Sequence, residues 1–151
     1  MEQINARKSL LEYNRIFKEN NKIYHELGKE LGLPECTMWI LYTLRENDDI
    51  HTQSEMSSSM YQPKQTVNSA LKKLENSGYI KLTEMADRRS KQVHLTDKGE
   101  ALCKKTVDSI IAAENRAFSK MSEDETKTFL TLFRKYTEFL KGSIQSCNIT
   151  E

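Results

Sequence analysis

Residues 63–80 of this 151-residue chain read PKQTVNSALKKLENSGYI, and this stretch decides the fold. Pro63 suits the first position of a helix because its missing N–H and fixed φ cost nothing there, and Gly78 is a typical helix stop. At helical spacing, one face carries apolar residues, namely Val67, Ala70, Leu71 and Leu74. The opposite face is polar and carries Lys64, Gln65, Asn68, Ser69 and Lys72. The pattern predicts an amphipathic helix that packs on a core and shows amides and cations to solvent.

A short β-ribbon is predicted directly after this helix. Residues 79–85 alternate between apolar and polar side chains, and residues 92–95 do the same. The connection between them, residues 86–90, contains Asp87, Arg88 and Arg89. The sequence therefore predicts two antiparallel strands joined by a basic tip.

Two further helices are predicted on the N-terminal side. Thr52 and Glu55 have the spacing of a capping box, which begins a helix over residues 53–60. An earlier helix is predicted over residues 34–45, opened by a proline. The predicted anchors are Met56 and Met60 in the short helix and Leu41 and Leu44 in the longer one, with Trp39, Ile40 and Tyr42 beside them.

Long amphipathic helices are predicted at both ends of the chain. The first helix ends near Gly32. A sixth helix begins at the Ser122–Glu125 capping box. A fifth helix begins after Thr96 and contains the apolar residues Leu102, Ile110, Ile111, Ala117 and Phe118. The exposed stripes on the first and last helices consist of Leu10, Tyr13, Phe17, Phe129, Phe133, Tyr136 and Leu140. One small domain could not bury these stripes alone, so a homodimer is expected.

Composition and charge narrow the class of protein. Hydrophobic residues make up 37% of the chain, and five glycines and two prolines are too few for an all-β fold of many short strands. No apolar run reaches the roughly 18 residues of a membrane span, so a cytoplasmic protein without membrane contact is expected. The net charge is +1, but the charges are unevenly distributed along the sequence. Residues 61–99 hold 8 Lys or Arg against 4 Asp or Glu, so this central segment is basic. A polyanion is expected to bind there.

The order of these elements indicates a winged helix-turn-helix. The major groove of B-form DNA admits one α-helix, and amides and cations on that helix reach base edges and phosphates. A basic wing beside the helix places an arginine at the narrower minor groove. The fold class is therefore predicted as mainly α with a small β-wing: a winged helix-turn-helix lobe plus long N- and C-terminal dimerisation helices.

Three segments carry a family resemblance. TQSEMSSSM at 52–60, PKQTVNSALKKLENSGYI at 63–80 and DRRSKQVHLTDKG at 87–99 resemble the MarR (multiple antibiotic resistance regulator) family of bacterial transcription factors. The resemblance implies a single MarR-like domain over residues 1–151, with a winged lobe at about 34–97 and helical dimerisation regions at about 1–32 and 98–146. It also implies a homodimer on a palindromic double-stranded operator, with repression the commoner direction of regulation.

The predicted DNA-binding residues follow from these patterns. They are Lys64, Gln65, Thr66, Asn68, Ser69 and Lys72 on the polar-faced helix, and Arg88 and Arg89 at the wing tip. The resemblance implies that Asp87 braces the wing through one arginine and leaves the other to the minor groove. Alternation along the strand favours Arg88 outward and Arg89 braced.

Two further sites are predicted near the second helix. Tyr24, Trp39 and Tyr42 offer aromatic walls for a small aromatic or amphipathic effector, in the region where the resemblance implies a crevice. Cys36 lies in the first turn of its helix, where the helix dipole favours a thiolate, although an inert, partly buried thiol is the favoured interpretation. The dispersed His25, His51 and His94 predict no metal site, and no cofactor is expected.

Three functional interpretations stay open. The favoured one is a ligand-responsive DNA-binding regulator. A helical protein-interaction dimer without DNA binding, and a thiol-based redox-sensing regulator using Cys36, are the alternatives. An enzyme is not expected, because the sequence contains no Gly-rich phosphate loop, no GxSxG motif and no metal triad.

Overall fold

A computed structural model describes residues 5–46, 51–87 and 89–147. Its helices are α1 (Ala6–Glu30), α2 (Glu35–Glu46), α3 (Gln53–Ser59), α4 (Lys64–Asn76), α5 (Asp97–Lys105), α6 (Val107–Ser119) and α7 (Glu123–Ser146). Its strands are β1 (His51–Thr52), β2 (Ile80–Glu84) and β3 (Lys91–Leu95). The prediction of a mainly α fold with a small β-wing is confirmed. The chain divides into two compact units, one through Ser109 and one from Ile110.

The sheet has one strand more than the sequence predicts. The strand order is β1-β3-β2, and both pairings are antiparallel. Leu82 of β2 lies opposite Val93 of β3, and His51 of β1 pairs with Val93 from the other edge. The predicted two-stranded ribbon is therefore corrected to a three-stranded sheet. Two residues are too short for an alternating pattern, which is why β1 leaves no signal in the sequence.

The core of the first unit lies between α2, α3, α4 and the sheet. The fully buried large side chains include Met38, Ile40, Leu41, Met56, Val67 and Leu71. Met60 and Leu44, both predicted anchors, are only partly buried. In α2, residues 39–42 are apolar in succession, so periodicity does not select a face, and the buried positions are Met38 and Ile40 instead of Leu44.

Two glycines fix the junction between α4, the wing and α5. Gly78 ends α4 with φ of 76°, a left-handed conformation that suits glycine. A Cβ atom on Gly99 would overlap the carbonyl oxygen of Tyr79, so only glycine fits where α5 starts against the wing base. The hydroxyl of Thr96 donates to the carbonyl oxygen of Gly78 at 2.6 Å and accepts the N–H of Gly99 at 3.1 Å. One side chain thus ties the three elements together.

The predicted fifth helix is two helices, and this prediction is corrected. Thr106 separates α5 from α6 with φ of −129° and ψ of −94°. Its hydroxyl donates to the carbonyl oxygen of Leu102 at 2.7 Å, and its N–H bonds to that of Cys103. Such back-bonding by threonine is associated with helix bending. The apolar period continues through the break, so the sequence pattern alone does not reveal it.

The second unit contains most of α6 and all of α7. The predicted capping box is confirmed, since the hydroxyl of Ser122 accepts the N–H of Glu125 and the Glu125 carboxylate accepts the N–H of Ser122. The Phe118 and Phe129 ring centroids lie 6.5 Å apart, and Phe133 stacks on Phe129 at 5.9 Å. Within residues 5–46, 51–87 and 89–147, no helix combines the length and apolar character needed to cross a bilayer.

Candidate nucleic-acid interface

The two faces of α4 are confirmed by burial. Its four predicted core residues, Val67, Ala70, Leu71 and Leu74, are buried. Lys64, Gln65, Thr66, Ser69 and Lys72 are exposed. Pro63 precedes the helix as its N-cap residue, and the N–H groups of Thr66 and Val67 bond to its carbonyl oxygen. The outer face of α4 therefore presents two ammonium groups, one amide and two hydroxyls to solvent.

Helix α3 begins at its predicted capping box. The Glu55 carboxylate accepts the N–H of Thr52 at 2.9 Å, and the Thr52 hydroxyl accepts the N–H of Glu55 at 3.1 Å. The hydrogen bond from the Thr52 N–H lowers the pKa of Glu55 below its ordinary value. The carboxylate is therefore ionised at neutral pH and holds the first turn of α3.

Asn68 differs from the other predicted residues on the outer face. It is half-buried, and its Oδ1 accepts hydrogen bonds from the Ser57 hydroxyl at 2.8 Å and from Nε2 of Gln53 at 3.4 Å. Ser57 is buried in α3 at 6% exposure. Neither Ser57 nor Gln53 is among the site residues predicted from the sequence, because their relation to Asn68 depends on how α3 crosses α4.

The wing is tied to α3 through Ser90, the last residue of the connection between β2 and β3. The Ser90 hydroxyl accepts the N–H of Ser54 at 3.1 Å, and Thr83 contacts Nε2 of His94 across β2 and β3 at 3.0 Å. At the tip, Asp87 Oδ1 accepts the backbone N–H of Arg89 at 3.2 Å, and Arg89 is exposed. The predicted brace at Asp87 thus acts on the backbone of Arg89. The predicted role of Arg88 falls on a residue outside the described ones.

An open cleft of about 300 Å³ lies where α3, α4 and the wing meet. Its walls carry three cationic residues, one carboxylate and several polar groups. They are Gln53, Ser54, Ser57, Lys64, Asn68, Glu84, Arg89, Ser90 and Lys91. The cleft brings predicted residues from α4 together with Arg89 of the wing, so an anionic ligand there would meet both elements at once.

The three aromatic residues predicted near an effector site lie together. The ring centroids of Tyr24 and Trp39 are 5.1 Å apart, and those of Trp39 and Tyr42 are 5.4 Å apart with the rings edge to face. A cavity of about 320 Å³ adjoins Trp39 and is lined by Trp39 and Thr43 of α2 and by residues 59–62. Trp39 lines this cavity, whereas Tyr24 and Tyr42 pack against Trp39 and are not part of the lining.

At Cys36 the structure argues against a thiolate, in line with the favoured interpretation of an inert thiol. Cys36 is 8% exposed, and burial together with the charge of Glu35 raises its pKa above the ordinary value. Loss of hydration on burial opposes the charged form of the thiol. Across the described parts of the chain, no group of His, Cys, Asp and Glu is arranged to hold a metal ion.

Comparison with known proteins shows which family the combination of helices and wing resembles. Residues 26–90 match the MarR family model. Among solved structures, NMB1585, a MarR family regulator from Neisseria meningitidis, is 24% identical with a TM-score of 0.75, covering 96% of this chain and 100% of that one. AbsC from Streptomyces coelicolor, a MarR family transcriptional regulator, is 20% identical with a TM-score of 0.69, covering 94% and 99%. Sco3205 from Streptomyces coelicolor, a MarR family transcriptional regulator solved in complex with DNA, is 19% identical with a TM-score of 0.65, covering 91% and 94%.

A search of curated proteins finds no match. The family match falls on the segment that holds α2, α3, α4 and β2. It contains the motifs at 52–60 and 63–80 and the first residues of the motif at 87–99. The structural likeness extends over nearly the whole chain. The resemblance is therefore confirmed: residues 26–90 match the MarR family model, and the fold of the chain is the fold of solved MarR family regulators.

Proposed function

We propose that this protein is a homodimeric transcriptional regulator that binds a specific palindromic sequence in double-stranded DNA. The observation that carries the proposal is the outer face of α4, where Lys64, Gln65, Thr66, Ser69 and Lys72 are exposed above a buried apolar face. An ordinary surface helix could have the same composition. The position of α4 between a capped helix and a basic wing, around one cleft, favours DNA contact.

The docking follows from the widths of the two grooves. Helix α4 enters the major groove, where Gln65 and Asn68 reach base edges while Lys64 and Lys72 contact phosphates. The wing lies beside α4 and brings an arginine to the minor groove. Alternation favours Arg88 for this role, but we assign it to Arg89, because Asp87 bonds to the backbone N–H of Arg89 and the residue is exposed. The DNA-bound state of the similarly folded Sco3205 supports this choice of ligand.

The first test separates base reading from general attraction to a polyanion. The purified protein selects fragments from its own genome, and binding to the selected operator and to random DNA is then measured by fluorescence anisotropy. Gln65→Ala should weaken operator binding by about 1 to 3 kcal/mol per half-site and leave binding to random DNA nearly unchanged. Equal losses on both DNAs would show that Gln65 positions α4 without reading sequence.

The second test concerns the wing. Arg89→Ala removes one cationic contact, so the slope of log affinity against log salt should fall by about one unit. Lys120→Ala removes an equal charge from the turn between α6 and α7 and serves as the control. If both variants keep the wild-type slope, Arg89 makes no phosphate or groove contact. No DNA complex with either selected or random DNA would instead favour the alternative of a protein-interaction dimer.

The homodimer is proposed from uncovered apolar side chains. Phe17 of α1 is 52% exposed and Phe133 of α7 is 49% exposed. They belong to stripes that include Leu10, Leu11, Ile16, Ile23, Phe129, Leu130, Tyr136, Leu140 and Ile144. Monomeric proteins rarely leave such stripes in water. Light scattering should return about twice the chain mass of 17.6 kDa, and Phe133→Glu should lower it, whereas Glu138→Gln on the same helix should not.

We also propose that a small aromatic or amphipathic anion regulates DNA binding from the cavity beside Trp39. One wall of this cavity is the turn at residues 59–62, which leads directly into α4. A ligand held there changes DNA affinity only through its different affinities for DNA-competent and incompetent states, typically about 5- to 150-fold. Millimolar salicylate should quench the fluorescence of Trp39, the only tryptophan, and weaken the operator complex. Quenching without any change in DNA affinity would refute the regulatory role.

A further inference from the structure

The hydrogen bonds of Asn68 determine what it offers to a ligand. The carbonyl oxygen of a side-chain amide has two lone pairs, and the nitrogen has two hydrogens. In this chain Oδ1 of Asn68 accepts from the Ser57 hydroxyl at 2.8 Å and from Nε2 of Gln53 at 3.4 Å. Both acceptor positions are therefore occupied by groups of α3, and the amide nitrogen is the group that remains for another molecule.

Ser57 is placed to maintain this orientation. It is 6% exposed, so water competes weakly for its hydroxyl, and Asn68 lines the open cleft between α4 and the wing. An asparagine reads adenine by donating to N7 and accepting from the N6 amino group, which requires its Oδ1. With Oδ1 held by Ser57, the amino group of adenine or cytosine has no acceptor at this position. Guanine presents O6 and N7, which are both acceptors.

We propose that Ser57 and Gln53 make Asn68 a donor-only reader of the major groove, which selects guanine and rejects adenine at the base it faces. The inference rests on the proposed DNA binding by α4 and deepens it. Ser57 and Gln53 are positioning residues, because they contact Asn68 and not the base. Part of the operator specificity is thus set inside the protein, in the packing of α3 against α4.

The test uses sequence selection from a library randomised over one operator half-site. Asn68→Ala identifies the base position that Asn68 reads, because preference there should disappear. At that position the wild type should favour guanine over adenine by about five-fold or more, the factor that corresponds to the lower end of one base-specific contact. Ser57→Ala frees an acceptor on Oδ1, so the preference should shift toward adenine by a similar factor.

Ser58→Ala is the matched control. Ser58 is the next residue of α3, is exposed, and donates only to the backbone oxygens of Ser54 and Glu55. It should keep the wild-type preference. Three results would overturn the inference. They are a wild-type preference for adenine, an unchanged base preference in Ser57→Ala, and an Asn68→Ala variant that keeps its base preference at every position. The last result would show that Asn68 only joins α3 to α4. A wild type that selects no sequence would refute the proposed function itself.

Discussion

Replacing Arg45 should show how strongly one side chain joins α2 to the break between α5 and α6. Its guanidinium donates from Nε and Nη2 to the two carboxylate oxygens of Asp108 at 2.9 and 2.7 Å, and from Nη1 to Glu100. Glu100 lies before Thr106 and Asp108 after it. Arg45→Met keeps most of the volume but leaves two carboxylates without their cation.

The expected magnitude follows from the exposure of these side chains. Arg45 is 25% exposed, Asp108 30% and Glu100 42%. Exposed ion pairs contribute about 0.2 to 1 kcal/mol, while breaking a buried pair costs about 3 to 5 kcal/mol. Because this cluster lies between those limits, Arg45→Met should lower the free energy of unfolding by about 2 kcal/mol at pH 7.

The pH dependence has a definite sign. The hydrogen bonds from Arg45 lower the pKa of Asp108 in the folded protein below its ordinary value of about 3.9. A carboxyl group with a lowered pKa stabilises the fold above its ordinary pKa and loses that contribution as the pH falls through the folded value. The deficit of Arg45→Met should therefore be complete at pH 7 and shrink below about pH 4.

Urea unfolding of Arg45→Met, Asp108→Asn and the double variant, at one protomer concentration, measures the coupling between the two side chains. The exposed pair of Glu138 and Lys141 on α7 is the matched control, since its atoms lie 3.1 Å apart and both side chains are more than 60% exposed. The coupling should be about 2 kcal/mol at Arg45 and below about 0.5 kcal/mol in the control. Equal couplings would refute the reasoning.

Two more predictions concern packing and thiols. Gly99→Ala should lower the free energy of unfolding by about 1 to 3 kcal/mol, because the added Cβ would overlap the wing base. Gly142→Ala is the control: nothing lies near its added Cβ, so it should raise the free energy of unfolding by up to about 1 kcal/mol. Equal melting temperatures of the two variants would contradict the close approach of Gly99 to Tyr79. A thiol reagent should label the exposed Cys147 in the native protein and the buried Cys36 and Cys103 only after unfolding, since burial raises the pKa of Cys103 to about 11. Peroxide should accordingly leave DNA affinity unchanged, and a loss in the wild type but not in Cys36→Ser would restore the redox interpretation.

Local signals in the sequence predicted much of this fold. The capping boxes at Thr52 and Ser122 and the helix stop at Gly78 depend on residues within one turn, and all three are confirmed. The buried and exposed faces of α4 could also be predicted from the sequence, because its apolar residues recur at a strict helical spacing. Predicting these features does not require knowing which distant segments are in contact.

The errors have two different causes. The break at Thr106 depends on local back-bonding, which a continuous apolar period conceals. The pairing of β1 with β3 depends on contacts between elements far apart in sequence. The same holds for Asn68, which sequence reasoning placed on a free polar face and which in the structure bonds to Ser57. Side-chain type and spacing identify an outward face, but packing decides which atoms on that face remain available.

The hydroxyl of Thr96 has a consequence for the form of an operator. It bonds to Gly78 at the end of α4 and to Gly99 at the start of α5, so it restrains the base of the wing relative to α4. In the proposed DNA complex, the major-groove and minor-groove contacts of one half-site should then be a fixed number of base pairs apart. Inserting one base pair between them should abolish recognition of that half-site, while the spacing between the two half-sites is set elsewhere in the proposed dimer.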